Sequence, residues 1–147
     1  MVDFSEYSEG FQYDAWANTL WLKCLEAKGF PQPDTGIFEH VLSASSIWYQ
    51  RCLGFSPSSF PKVELTAVAI QQAADKWAVL MDSLPEDRVV EYKRTTGEPM
   101  STELSQIVLH VLNHGTYHRG ELRGMCLLRG DETFPETDRI LFSLTQR

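Results

Sequence analysis

The chemistry available to this chain of 147 residues is concentrated in four histidines, His40, His110, His114 and His118. The last three recur at four-residue intervals. On a helix, residues four apart are displaced by about 40° around the axis and one turn along it. His114 and His118 therefore stack on one face, where two imidazoles at i and i+4 can both reach a single divalent ion. Gly115, Thr116 and Tyr117 lie between them. A zinc protease would carry a glutamate directly after the first histidine, so that reading fails on its own motif.

Two imidazoles do not complete a metal centre, and a third donor must come from another helix. His40 is the histidine outside this segment, and its position at the margin of an apolar arc permits it to face the pair without requiring it. In a bundle, ligands project inward from facing helices. Three neutral imidazoles with one open position would make a site of catalytic rather than structural type. The competing reading is a hydrogen-bonded core, with Asn113, Asn18 or Tyr13 as partners, because an inward histidine is more often core than ligand. His110 lies farthest from the apolar arc of its helix and is read as outside the ligand set.

The elements that must position these residues follow from hydrophobic periodicity. Apolar residues at three- and four-residue steps predict a helix from about Ser5 to Lys28, with Tyr13, Ala17, Leu20, Cys24 and Ala27 inward. A second begins near Asp34-Thr35, either of which can cap it, with Phe38, Val41, Ser45, Trp48 and Cys52 inward. A third runs from about Val63 to Ser83 on Val63, Ala67, Ile70, Ala74, Trp77, Met81 and Leu84. A fourth runs from about Ser101 to Leu128 on Leu104, Ile107, Val108, Val111, Gly115, Leu122 and Met125. Gly29-Phe30-Pro31, the Gly54–Pro61 segment and the stretch from Pro85 to Pro99 punctuate them. The expected fold is all-α, a single four-helix bundle domain over residues 1–147. The β-branched segment Arg88–Lys93 predicts a short hairpin-like insertion between helices three and four, and Asp138–Thr145 a short packing helix.

Composition limits the functional classes. The chain has 13 Lys and Arg against 20 Asp and Glu, a net charge of −7, which argues against binding phosphate backbones and nucleic acid. A local basic patch from Arg119, Arg123 and Arg129 is the exception to look for. No run of about 18 apolar residues predicts a membrane span, and the acidic N-terminus does not read as a secretory signal. The three cysteines, Cys24, Cys52 and Cys126, form no Cys-x-x-Cys pair and read as reduced thiols in a cytoplasmic protein. Trp16 and Trp48 are expected in the core.

The run Leu109-His110-Val111-Leu112-Asn113-His114-Gly115-Thr116-Tyr117-His118-Arg119-Gly120-Glu121-Leu122 resembles the signature of the DinB/YfiT-like family of metal-dependent proteins. In that family an Asn-His-x-x-x-His-Arg-Gly segment lies on the last bundle helix. His40 through Trp48 resembles the second-helix segment, and Tyr13-Asp14-Ala15-Trp16-Ala17-Asn18 the first-helix segment, so the likeness covers essentially the whole chain. Tyr117 stands where relatives often have His, and Glu121 where they often have Gln.

The resemblance implies a four-helix bundle holding a divalent ion, commonly zinc or nickel, on His40, His114 and His118. It assigns no catalytic side chain. It also implies a homodimer and, in relatives with known activity, transfer of a low-molecular-weight thiol to a small electrophile. A divalent ion deprotonates a coordinated thiol or activates water, which is why such chemistry needs the centre. Arg51, Arg119 and Arg123 are the candidates to bind carboxylates of a thiol cosubstrate. The alternatives are a metal-dependent hydrolase using water at the same site, or a non-catalytic, metal-binding dimeric bundle. Glu121 adds a carboxylate one turn from His118 that could orient a ligand, act as a base or simply sit at the surface, and it is read first as a surface residue.

Overall fold

The computed structural model describes residues 4–146. Among them are five helices and one hairpin: α1 (Phe4–Ala27), α2 (Asp34–Cys52), α3 (Ala67–Ser83), β1 (Val89–Lys93), β2 (Pro99–Glu103), α4 (Leu104–Arg129) and α5 (Arg139–Thr145). The four long helices form the bundle, with α1 packed mainly on α3 and α2 mainly on α4. The hairpin between α3 and α4 is antiparallel, with Val89 opposite Glu103 and Lys93 opposite Pro99. None of the helices is long and apolar enough to cross a membrane.

Large side chains decide which face of each helix turns inward. On α1 the buried seam is Phe11, Ala15, Asn18, Leu22 and Leu25, one step around from the expected Leu20, Cys24 and Ala27, which are half-buried or exposed. Burying Phe and Leu side chains removes more apolar area from water than burying Ala and Cys, so the helix rotates toward them. Tyr13 and Ala17 are buried too, but in a separate cluster with Phe142 of α5. On α2, Phe38 and Val41 lie inward as expected. Ala44, Ile47 and Arg51 then replace Ser45, Trp48 and Cys52. Ser45 turns toward α3, where its Oγ accepts a 3.0 Å hydrogen bond from the Trp77 indole. Trp77 is the centre of the core, stacked on Phe11 at 5.1 Å and met edge-on by Tyr49.

Helix ends depart from expectation where local hydrogen bonds compete. Helix α3 starts at Ala67 rather than Val63, because the Thr66 side chain caps it by accepting from the Ala69 amide at 3.1 Å. Helix α4 starts at Leu104 because residues from Ser101 to Glu103 are engaged in β2. It ends at Gly130, whose φ of 76° is the left-handed conformation that lets the last carbonyls be capped. Asp34 does not cap α2. Its carboxylate is buried and accepts two hydrogen bonds from Arg129 at 3.0 and 2.7 Å. That pair pins the start of α2 to the end of α4 and fixes the axial register of the two histidine-bearing helices.

Candidate metal centre

The register set by Asp34 and Arg129 brings His40 of α2 against His114 and His118 of α4. One nitrogen from each of the three rings lies within 4.8 Å of the other two. His114 is the middle member: its Nε2 stands 3.2 Å from His40 Nε2 and 3.2 Å from His118 Nε2. In a tetrahedral zinc site with Zn–N bonds of roughly 2.0–2.1 Å, ligand nitrogens lie roughly 3.3 Å apart. The donor set and its spacing therefore fit a divalent ion held by three imidazoles.

The electrostatics favour the same role. Burial, aided by the neighbouring rings of His118, His40 and His110, lowers the His114 pKa to about 4. Burial and the His118 ring also lower that of His40. Both rings are thus neutral at pH 7, the form that presents a lone pair to a metal. Among the described residues, these three form the only His, Cys, Asp or Glu group with such convergence. Asn18, Tyr13 and Asn113 are not their partners. Asn18 binds Arg119, the Tyr13 hydroxyl donates to the Thr137 carbonyl, and Asn113 lines a groove beside α1. The hydrogen-bonded core proposed as the alternative is thus not built from those groups.

His110 is exposed and outside the trio, although burial lowers its pKa and its ring lies 5.4 Å from that of His114. Three further side chains neighbour the trio. Phe60, on the segment between α2 and α3, packs its ring 5.3 Å from His40. Tyr117 lies 5.0 Å from His118. Glu121 accepts a 2.9 Å hydrogen bond from His118 Nδ1, so it is not simply a surface residue. Its i+3 spacing from His118 was the signal, since such pairs meet on a helix surface.

Other expectations are corrected. Trp16 and Trp48 are half-buried rather than core. Trp16 packs on Tyr13 and Phe142, and Trp48 packs between Tyr92 and His110. The three arginines do not gather beside the histidines to receive a cosubstrate carboxylate. Arg119 is buried against Asp14 and Asn18, Arg123 pairs with Glu136, and Arg51 lies buried over the Trp48 and Tyr92 rings. Arg129 in turn pairs with Asp34 and Asp131, so Arg119, Arg123 and Arg129 form no free basic patch. Cys24, Cys52 and Cys126 are unpaired thiols.

A cavity of about 330 Å³ lies between α1, α2 and α3, with Asp14, Asn18, Leu42, Ser46, Tyr49 and Trp77 in its wall. None of the three imidazoles lines it. No curated protein and no solved structure matches the chain. A family model does: that of the DinB family, over residues 1–142. The match takes in α1 to α4 and all three converging histidines, and the chain belongs to the DinB family.

Proposed function

We propose that the protein is a metal-dependent enzyme whose ion, zinc or nickel, is held by His40, His114 and His118, and that it transfers a small thiol to an electrophilic substrate. The observation that carries the reading is the convergence of three imidazole nitrogens within 4.8 Å of one another. Membership of the DinB family supports it. When bound, the ion supplies a Lewis acid that makes a thiol, or water in the hydrolase variant of this reading, nucleophilic at neutral pH. The chain's own contribution is to present neutral imidazoles from two helices held in register. Phe60 and Tyr117, 47% and 74% exposed, offer apolar surface beside His40 and His118 to the organic part of a substrate. No side chain is assigned as acid or base.

A second reading is a non-catalytic metal-binding bundle. What favours it is that the 330 Å³ cavity has none of the three imidazoles in its wall. Either reading is compatible with a homodimer, which sedimentation velocity would detect.

The first experiment is elemental analysis of untagged protein purified without chelator, beside the His118→Ala variant. About one zinc or nickel per chain, lost in the variant while far-UV circular dichroism stays helical, is the expected result. Absence of metal in both, even after incubation with zinc and nickel, would sink the metal reading. A metal-loaded protein that transfers none of a panel of low-molecular-weight thiols to electrophiles would leave the second reading.

A further inference from the structure

We propose that Glu121 is the positioning residue of the three-histidine centre, holding His118 in the tautomer whose Nε2 lone pair faces His114. The inference rests on the metal reading above. It comes from how the two nitrogens of one ring divide their contacts. His118 Nδ1 lies 2.9 Å from Glu121 Oε1, while its Nε2 lies 3.2 Å from His114 Nε2. A carboxylate can only accept, so Nδ1 must carry the hydrogen that it donates, which leaves Nε2 as the acceptor in the neutral ring. A carboxylate on the far nitrogen of a ligating imidazole fixes ring orientation and raises ligand basicity.

The carboxylate is available for this task. Glu121 is 47% exposed, and among the described residues it pairs with no lysine or arginine. Its backbone is fixed by α4, three residues beyond His118, so the contact is set by the helix rather than by a loop. Among the described residues, no other side chain is hydrogen-bonded to an Nδ1 of the trio. His114 meets its neighbours through Nε2, and so does His40. The carboxylate also adds a negative charge near His40. The three imidazoles would thus hold a cation with a carboxylate counter-charge on the far side of the His118 ring. Gln at this position would keep an acceptor for Nδ1–H but lose the charge, which gives a graded test.

The experiment compares full-length wild type with Glu121→Gln and Glu121→Ala. Zinc affinity is measured by competition with a chromophoric chelator, and the His118 tautomer by ¹⁵N chemical shifts of the metal-free protein near pH 7.5. Glu121→Ala is expected to bind zinc roughly 10- to 100-fold more weakly. In that variant the His118 ring should also shift toward the Nε2–H form. Glu121→Gln is expected to fall between the two and keep the wild-type tautomer. Zinc binding by wild type with Glu121→Ala unchanged within twofold overturns the proposal alone, as does a wild-type ring that is already Nε2–H. Failure of wild type to bind zinc overturns the metal reading and the proposal with it. Circular dichroism of each variant guards against loss of fold as the cause, and an exposed carboxylate is not expected to carry the fold.

Discussion

The carboxylate of Asp14 lies 2.6 Å from the guanidinium of Arg119, directly across α1 and α4 from each other and against the Cα of Gly115. Arg119 is 2% exposed, and the same nitrogen also donates to Asn18 Oδ1 at 2.8 Å. A buried ion pair contributes little net stability, because desolvation offsets the attraction, but removing one partner strands the other charge. Asp14→Ala is therefore expected to cost about 3–5 kcal/mol in urea unfolding. The double replacement Asp14→Leu with Arg119→Met should recover most of it. A loss below about 1 kcal/mol in the single variant would show that water reaches the guanidinium.

Gly115 sits in the turn between His114 and His118, and the Asp14–Arg119 pair explains why it is glycine. A Cβ at this position would lie 2.6 Å from Asp14 Oδ1 and 2.9 Å from Arg119 Nη1. Alanine improves helix propensity by about 1 kcal/mol over glycine, whereas crowding a packed interior costs about 1–3 kcal/mol. Gly115→Ala is expected to lower Tm. Gly120 and Gly124, on the same helix, have nothing within 4 Å of a built Cβ. Gly120→Ala should therefore raise Tm, and a parallel rise for Gly115→Ala would refute the steric account.

These two contacts mark where the sequence stopped being readable. The bundle followed from apolar periodicity and from Gly and Pro punctuation, and the His114–His118 stack followed from helical geometry alone. Both are local properties of the chain. The facing of His40 onto that stack was not local. It depends on Asp34 meeting Arg129, a pair 95 residues apart whose members read from sequence as a helix cap and a surface cation. The burial of Arg119 and Arg51, which read from sequence as carboxylate-binding candidates, was hidden for the same reason. It involves residues distant in the chain, Asp14 and Asn18 of α1 for Arg119 and Tyr92 of β1 for Arg51. The inward face of α1 departs from simple apolar periodicity because packing follows the larger buried area, which favours Phe11, Leu22 and Leu25 over Cys24 and Ala27. Phe60 lies outside any helix, where no periodicity points a side chain.

Stability of the metal-free protein should fall on mild acidification. His114 has its pKa lowered from 6.5 to about 4 by burial and by neighbouring rings. The unfolded chain therefore holds the proton more tightly than the folded one. Stability rises with pH across the window from about 4 to 6.5 and is fully present above it. His40 and His110, shifted the same way, add to the slope. The expected loss between pH 7 and pH 5 is ~1–2 kcal/mol after allowance for solvent screening. His114→Gln should flatten the profile. A metal-free Tm that does not change between these pH values, or one that rises on acidification, would contradict the neutral, desolvated state assigned to the ring.

An open metal site differs from a closed one in whether an added ligand can reach the ion. Cobalt(II) in place of zinc gives a visible spectrum that responds to added ligands, and three protein donors leave a position for one. Imidazole is expected to alter that spectrum. Phe60 and Tyr117 flank the rings of His40 and His118 at 5.3 and 5.0 Å and expose apolar surface. A ligand that carries an aromatic substituent should gain contact with them, and aromatic pairs add about 0.5–1.5 kcal/mol beyond area burial. 4-Phenylimidazole is therefore expected to bind several-fold more tightly than imidazole to wild type, with the preference reduced in Phe60→Ala and in Tyr117→Ala. A spectrum indifferent to both ligands would indicate a coordinatively closed centre and favour the non-catalytic reading. Equal affinity for the two ligands would keep the open site but remove the aromatic walls from substrate recognition, since apolar surface that a bound ligand touches must discriminate in favour of the larger apolar group.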